Sequence, residues 1–166
     1  MNLVIEILGV PPISGEFTEF KFDASGDCTW VKFSGENVVV VGIFGNGELT
    51  KSSATLFDDE KHVLILASGQ GYIVDLASMK LTHKTERSYL THAKVIHDTK
   101  LIAANDFFSV LLYTPEGLVW VAERVANDDL RIDEATAKLI SGTFWNGTEI
   151  SNFTLDITSV VEQFDY

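Results

Sequence analysis

The 166-residue sequence has a single cysteine, Cys28, which excludes an intrachain disulfide and any zinc cage built on thiolates. Proline occurs only three times and glycine 12 times, so collagenous, linker-like and low-complexity compositions are excluded too. No apolar stretch approaches the roughly 18 residues of a membrane-spanning helix. The N-terminal run from Leu3 to Leu8 carries Glu6 in its middle, has no Lys or Arg before it, and is followed by Pro11 and Pro12. That charge arrangement is the reverse of a secretory leader. With the lone thiol, it gives a cytoplasmic location as the expectation, in which case the glycosylation-type triplets at Asn146 and Asn152 carry no meaning. Positive charge is also scarce: 12 Lys and Arg face 24 Asp and Glu, a formal charge of −12. Binding to nucleic acid or anionic lipid rests on neutralising phosphates with cations, so neither is an expected partner. A basic protein is the partner class that such a surface attracts.

What is abundant is β-forming. Short runs rich in Val, Ile, Leu, Phe and Tyr alternate with Gly, Asn, Asp and Ser clusters, the pattern of strands and turns. Fifteen strands are expected: 3–8, 16–22, 29–33, 37–44, 53–57, 62–67, 71–76, 80–85, 93–97, 101–104, 107–113, 118–124, 130–132, 138–143 and 149–157. Breaks such as Ser25-Gly26, Gly45-Asn46-Gly47, Pro115-Glu116-Gly117 and Asn146-Gly147 are too short for the crossover of a parallel pair, so mostly antiparallel pairing is expected. Residues 133–140 compete as a helix capped by Asp133 and stopped by Gly142. The alternation of Leu130 and Ile132 favours a hairpin there.

Leu56 to Thr85 and Val95 to Ala122 come into approximate register. Each has an apolar pair, a turn with Asp59 or Asp98 followed by Lys61 or Lys100, and then three strands separated by short breaks. Looser versions lie in 16–53 and 128–163, which makes four units of three or four strands. This pattern resembles β-propeller repeats of the quinoprotein or WD40-like kind across residues 16–160, without their Gly-His and Trp-Asp signatures. The resemblance implies an all-β fold, an antiparallel meander forming a small propeller-like array of about four sheets in one domain, 1–166. It also implies faces used to bind proteins. A β-sandwich or barrel is the alternative architecture.

Candidate chemistry is thin. His92 and His97, if on one strand, point to opposite faces, and the set His62, His83, His92 and His97 has no recognised ligand spacing. Ser68 to Tyr72 is Gly-rich but is followed by neither a Lys nor a helix, so a tight hairpin turn is expected in place of a phosphate loop. Cys28 reads as a small buried filler, and no Gly-X-Ser-X-Gly elbow is present. Asp58, Asp59 and Glu60, like Asp128 and Asp129, read as solvated turn acids. Phe107, Phe108 and Trp120 are expected in strands that fill the core. No catalytic, cofactor or metal residue is therefore assigned. The expected function is a non-enzymatic interaction module with an acidic surface, in one form an immunity-type protein neutralising a basic toxin. An enzyme or small-ligand binder with a site assembled from distant loops is the alternative.

Overall fold

Continuous apolar runs such as His62-Val63-Leu64-Ile65-Leu66-Ala67 leave no polar face for water, so the strands they form must be covered on both sides. In the computed structural model, which describes residues 3–13, 15–35 and 39–164, they are. The chain forms β1 (Val4–Leu8), β2 (Thr18–Phe22), β3 (Cys28–Ser34), β4 (Val39–Gly45), β5 (Ser53–Leu56), β6 (His62–Ala67), β7 (Gln70–Asp75) and β8 (Lys80–Lys84). It continues through β9 (His92–Ile96), β10 (Leu101–Asn105), β11 (Val110–Thr114), β12 (Gly117–Ala122), β13 (Asp128–Ala135), β14 (Leu139–Trp145) and β15 (Ile150–Asp156), and ends in a helix, α1 (Thr158–Phe164). The start of the expected 37–44 strand, Asn37 and Val38, lies outside the described residues.

The strands form four small sheets ordered β1-β3-β4-β2, β5-β6-β7-β8, β9-β10-β11-β12 and β13-β14-β15, none closed into a barrel. The fold is nearly all β, as expected. The two segments that align in sequence form consecutive four-stranded meanders with the same strand order. Strand β1 lies against β5, β5 against β9 and β9 against β13. The first strands of successive sheets thus stand side by side, an arrangement compatible with a propeller.

Side-chain alternation sorts the core into three layers. From β6 and β7, Val63, Ile65, Tyr72 and Val74 meet Val31, Phe33 and Phe44 of the first sheet, while Leu64, Leu66 and Ile73 meet Ile102, Ala104, Leu111 and Tyr113 of the third. The other faces of β10 and β11, with Leu101, Ala103, Val110 and Leu112, pack on Leu130, Ile132, Ile140 and Phe153 of the fourth. Each such Leu, Ile or Val contributes about 1.5–3 kcal/mol by leaving water. Aromatic rings join the first two sheets: Phe22 stacks on Phe44 of the same sheet at 4.7 Å, and Phe44 meets Tyr72 of the second in a tilted contact at 5.4 Å. The Tyr72 hydroxyl donates to Gly45 O at 2.8 Å, and burial, with Asp23 nearby, pushes its pKa up to about 12.

Two features depart from the sequence reading. Strand β2 pairs with β4 in parallel. The long crossover such a pair needs is supplied by β3 itself, because β2 runs to β3 across the width of β4. Strands β1 and β2 also occupy opposite edges of this sheet. Val41 and Ile43, on the face turned away from the second sheet, are 0% and 8% exposed, and Lys32 on that face sits 5.4 Å over the Phe17 ring. The second departure is α1, whose Val160, Val161 and Phe164 cap the last core layer. Asp156 Oδ1 accepts the Thr158 N–H at 2.9 Å and starts it. The 130–143 region is the expected hairpin, β13 with β14.

Candidate functional site

The two ends of the array are built differently. At one end the connections between sheets are laced to neighbouring turns by backbone hydrogen bonds. Gly47 N donates to Ala67 O at 2.9 Å, Leu49 N to Ser68 O at 2.8 Å, Leu90 N to Gly69 O at 2.9 Å and Thr91 N to Asn105 O at 2.8 Å. Ala126 N reaches Phe108 O at 3.2 Å in the same way. The Ser68-Gly69 pair, with φ of 48° and 94°, is the expected two-residue hairpin turn.

Within this end the β10–β11 turn holds Asp106, which is fully buried. Its Oδ1 accepts the Phe108 and Ser109 N–H groups, each at 2.7 Å, and its Oδ2 pairs with Arg87 of the preceding connection. Arg87 also pairs with Glu123, whose other oxygen accepts the Ser109 hydroxyl at 2.8 Å. The guanidinium pKa is raised by these carboxylates against the pull of burial, and Ser109 holds the Glu123 carboxyl below the usual range, with Arg87 adding to it. Beside them lies an open cleft of about 420 Å³. Arg87 is saturated by two carboxylates and Ser109 is committed to one of them, so the network fastens the turn and leaves no group poised to attack a substrate. Asn105, also fully buried, has its Nδ2 within 2.8 Å of Thr91 Oγ1, Asp106 O and Leu130 O, which ties two connections to strand β13.

The opposite end carries the turns that follow β5, β7, β9 and β11. Asp58 and Asp59 are more than solvated turn acids. Asp58 accepts His97 Nδ1 at 2.9 Å and Asp98 N at 3.0 Å across the gap between two sheets. Asp59 accepts Lys61 N at 2.8 Å and His62 N at 3.0 Å, with His62 Nδ1 at 2.6 Å. The His97 contact leads in lowering the Asp58 pKa; for Asp59 burial opposes, and the His62 and backbone hydrogen bonds prevail. Glu60, Asp98 and Glu116 at this end are exposed. A cleft of about 410 Å³ between Thr55, Asp58, Glu60 and His97 opens among them.

The four histidines are dispersed. His92 opens β9 and His97 follows its end, His62 opens β6, and His83 Nε2 sits 3.1 Å from Glu86 Oε1 without hydrogen-bond alignment. Among the described residues no group of three His, Cys, Asp or Glu could hold a metal. Three sequence expectations need correction. Cys28 is half-exposed at the start of β3, with its thiol pushed up by burial and Asp27. Phe107 and Phe108 lie in the β10–β11 turn, with Phe108 44% exposed, because Asp106 fixes that turn two residues later than the apolar run implies. Trp120 is only half-buried at the rim of the last layer. Comparison with known proteins matches the chain to no family model and to no curated sequence. Among the described residues no helix is long and apolar enough to cross a membrane.

Proposed function

We propose that the protein is a non-enzymatic interaction module of β-propeller kind, cytoplasmic, that recognises a basic protein partner through the carboxylate-bearing turns at the unlaced end. The observation that carries this reading is a charge of −12 with Glu60, Asp98 and Glu116 exposed on turns of two adjacent sheets. Carboxylates on separate, rigidly spaced turns form a field that speeds and orients encounter with a cationic surface. An immunity-type role against a basic toxin is one form of this function. Immobilised protein is to be exposed to native cell lysate at low and high salt, and the captured proteins identified and assayed by association rate. A partner of basic pI is expected whose association slows steeply as the Debye length falls from about 10 Å at 0.1 M to about 3 Å at 1 M salt. Its capture should fall further for the triple variant Glu60→Lys, Asp98→Lys, Glu116→Lys. Association indifferent to both salt and charge reversal would refute the proposal.

A further inference from the structure

In a molecule so acidic, cations that converge on one groove stand out. Lys51, on the connection just before β5, Lys94 on β9 and Arg131 on β13 come from segments far apart in the chain and gather around His92. Partial desolvation, then the charges of Arg131 and Lys51, hold the His92 imidazole below its ordinary pKa, with Lys94 adding to them and Asp129 opposing. Neutral at pH 7, His92 leaves the positive field to its neighbours. Lys94 Nζ donates to Asp133 O at 2.7 Å. Among the described residues Arg131 reaches a carboxylate only through Nε, 3.4 Å from Asp133 Oδ1. Among the described residues the Lys51 ammonium has no hydrogen-bond or ion-pair partner.

Lys51, His92 and Arg131 line a groove of about 570 Å³, larger than the two clefts of about 420 and 410 Å³ described above and of a size that takes a small organic molecule. Phe144, Trp145 and Ile150 give it an apolar side, and Asp129 and Thr143 complete its lining. Trp145 and Ile150, partners across β14 and β15, are 42% and 73% exposed. An uncommitted ammonium and a guanidinium with two spare nitrogens, beside an exposed indole and an exposed isoleucine, match a ligand with one anionic group and one flat apolar body. A polyanion does not fit. Asp129 shares the groove, and the surrounding −12 charge repels any chain of phosphates that extends beyond it.

We infer that this groove binds a small aromatic anion, its carboxylate or phosphate held between Lys51 and Arg131 and its ring laid against Trp145 and Ile150. The site lies at the opposite end of β5 and β9 from Glu60 and Asp98, so it stands independently of the proposed protein-binding face.

The test is calorimetric titration of the full chain at low salt and pH 7.5, read in parallel by tryptophan fluorescence, with benzoate and phenyl phosphate as probes. Inorganic phosphate and benzyl alcohol supply the anion alone and the ring alone. At least one aromatic anion is expected to saturate with a Kd of about 1 mM or tighter, with both controls about tenfold weaker or more. Whichever of the two binds better identifies the anionic group as carboxylate or phosphate. Lys51→Gln and Arg131→Gln should each weaken binding about tenfold, and Trp145→Ala should weaken it while removing the fluorescence change. All three positions are exposed, so unchanged melting temperatures are expected to certify the variants, and the two Gln variants decide the matter if Trp145→Ala is unstable. Absence of saturation by either probe at about 10 mM, equal binding by benzyl alcohol, or wild-type affinity in both Gln variants would overturn the inference.

Discussion

Replacing Arg87 by alanine removes the cation that is ion-paired with Asp106. The carboxylate keeps two backbone N–H donors at 2.7 Å but is 0% exposed, so its charge stays in a low-dielectric turn without a counter-ion. Breaking a buried pair in this way costs about 3–5 kcal/mol. Arg87 is 20% exposed and water can fill part of the space it leaves, which lowers the expectation to about 2–3 kcal/mol. For a chain of this length each kcal/mol moves the melting temperature by roughly 2–4 °C, so the shift should be about 4–12 °C. Differential scanning calorimetry at pH 7 and urea unfolding would measure it. Arg87→Lys, which keeps the charge but not the two-pronged reach to Asp106 and Glu123, should lose less. In the double variant with Asp106→Asn the penalty of Arg87→Ala should shrink, since no charge is left stranded. A melting temperature within about 2 °C of wild type for Arg87→Ala would show that the network does not hold this end together.

Asn105→Leu should cost about 2 kcal/mol or more in urea unfolding, because it leaves the Asp106 and Leu130 carbonyls without the amide that serves both. Gly47→Ala places a Cβ 2.3 Å from Ser88 O and 2.6 Å from Gln70 N, backbone that cannot yield, and should cost about 2 kcal/mol or more; Gly9→Ala, with nothing within 4 Å, should be neutral to about 0.5 kcal/mol. In acid, Asp58, Asp59, Asp75 and Asp156 all titrate below the ordinary 3.8 in the folded chain. The unfolded chain therefore takes up protons first, and the stability these groups confer is complete well above that value and lost as pH falls through it. A pH series of thermal melts should show a decline that begins near pH 5 and steepens below about pH 4; a flat profile to pH 3 would contradict it.

The two central sheets were the most legible part of the sequence. Both faces of β6, β7, β10 and β11 are buried, so their apolar runs are unbroken and bounded by recognisable turns. The outer sheets were harder to read in detail. Pairing of β2 with β4 leaves no local mark, since strand order is decided by which edge of the first sheet is free after β3 and β4 have formed their hairpin. The helix α1 hides because Val160 and Val161 are β-branched, and its one signal is the carboxylate of Asp156 two residues before Thr158. The Arg87–Asp106–Glu123 network and the Lys51–His92–Arg131–Trp145 groove were illegible for one common reason. Each is assembled from segments far apart in the chain: the first lies on connections whose own sequences look like ordinary polar loops, and the second joins Lys51 of one connection to single residues of strands β9, β13 and β14.

The difference between the two ends also bears on how such a molecule can diversify. Where turns and connections share backbone hydrogen bonds, an inserted residue disturbs two sheets at once, and positions such as Gly47 admit no side chain at all. At the other end the contacts between sheets run through side chains, as from Asp58 to His97, or through a single hydroxyl, as from Thr82 to Pro115 O at 2.7 Å. Turns there can lengthen or change composition while the opposite end keeps the sheets in place. The chain thus has a conservative end that specifies the scaffold and a permissive one on which new recognition loops can be grafted.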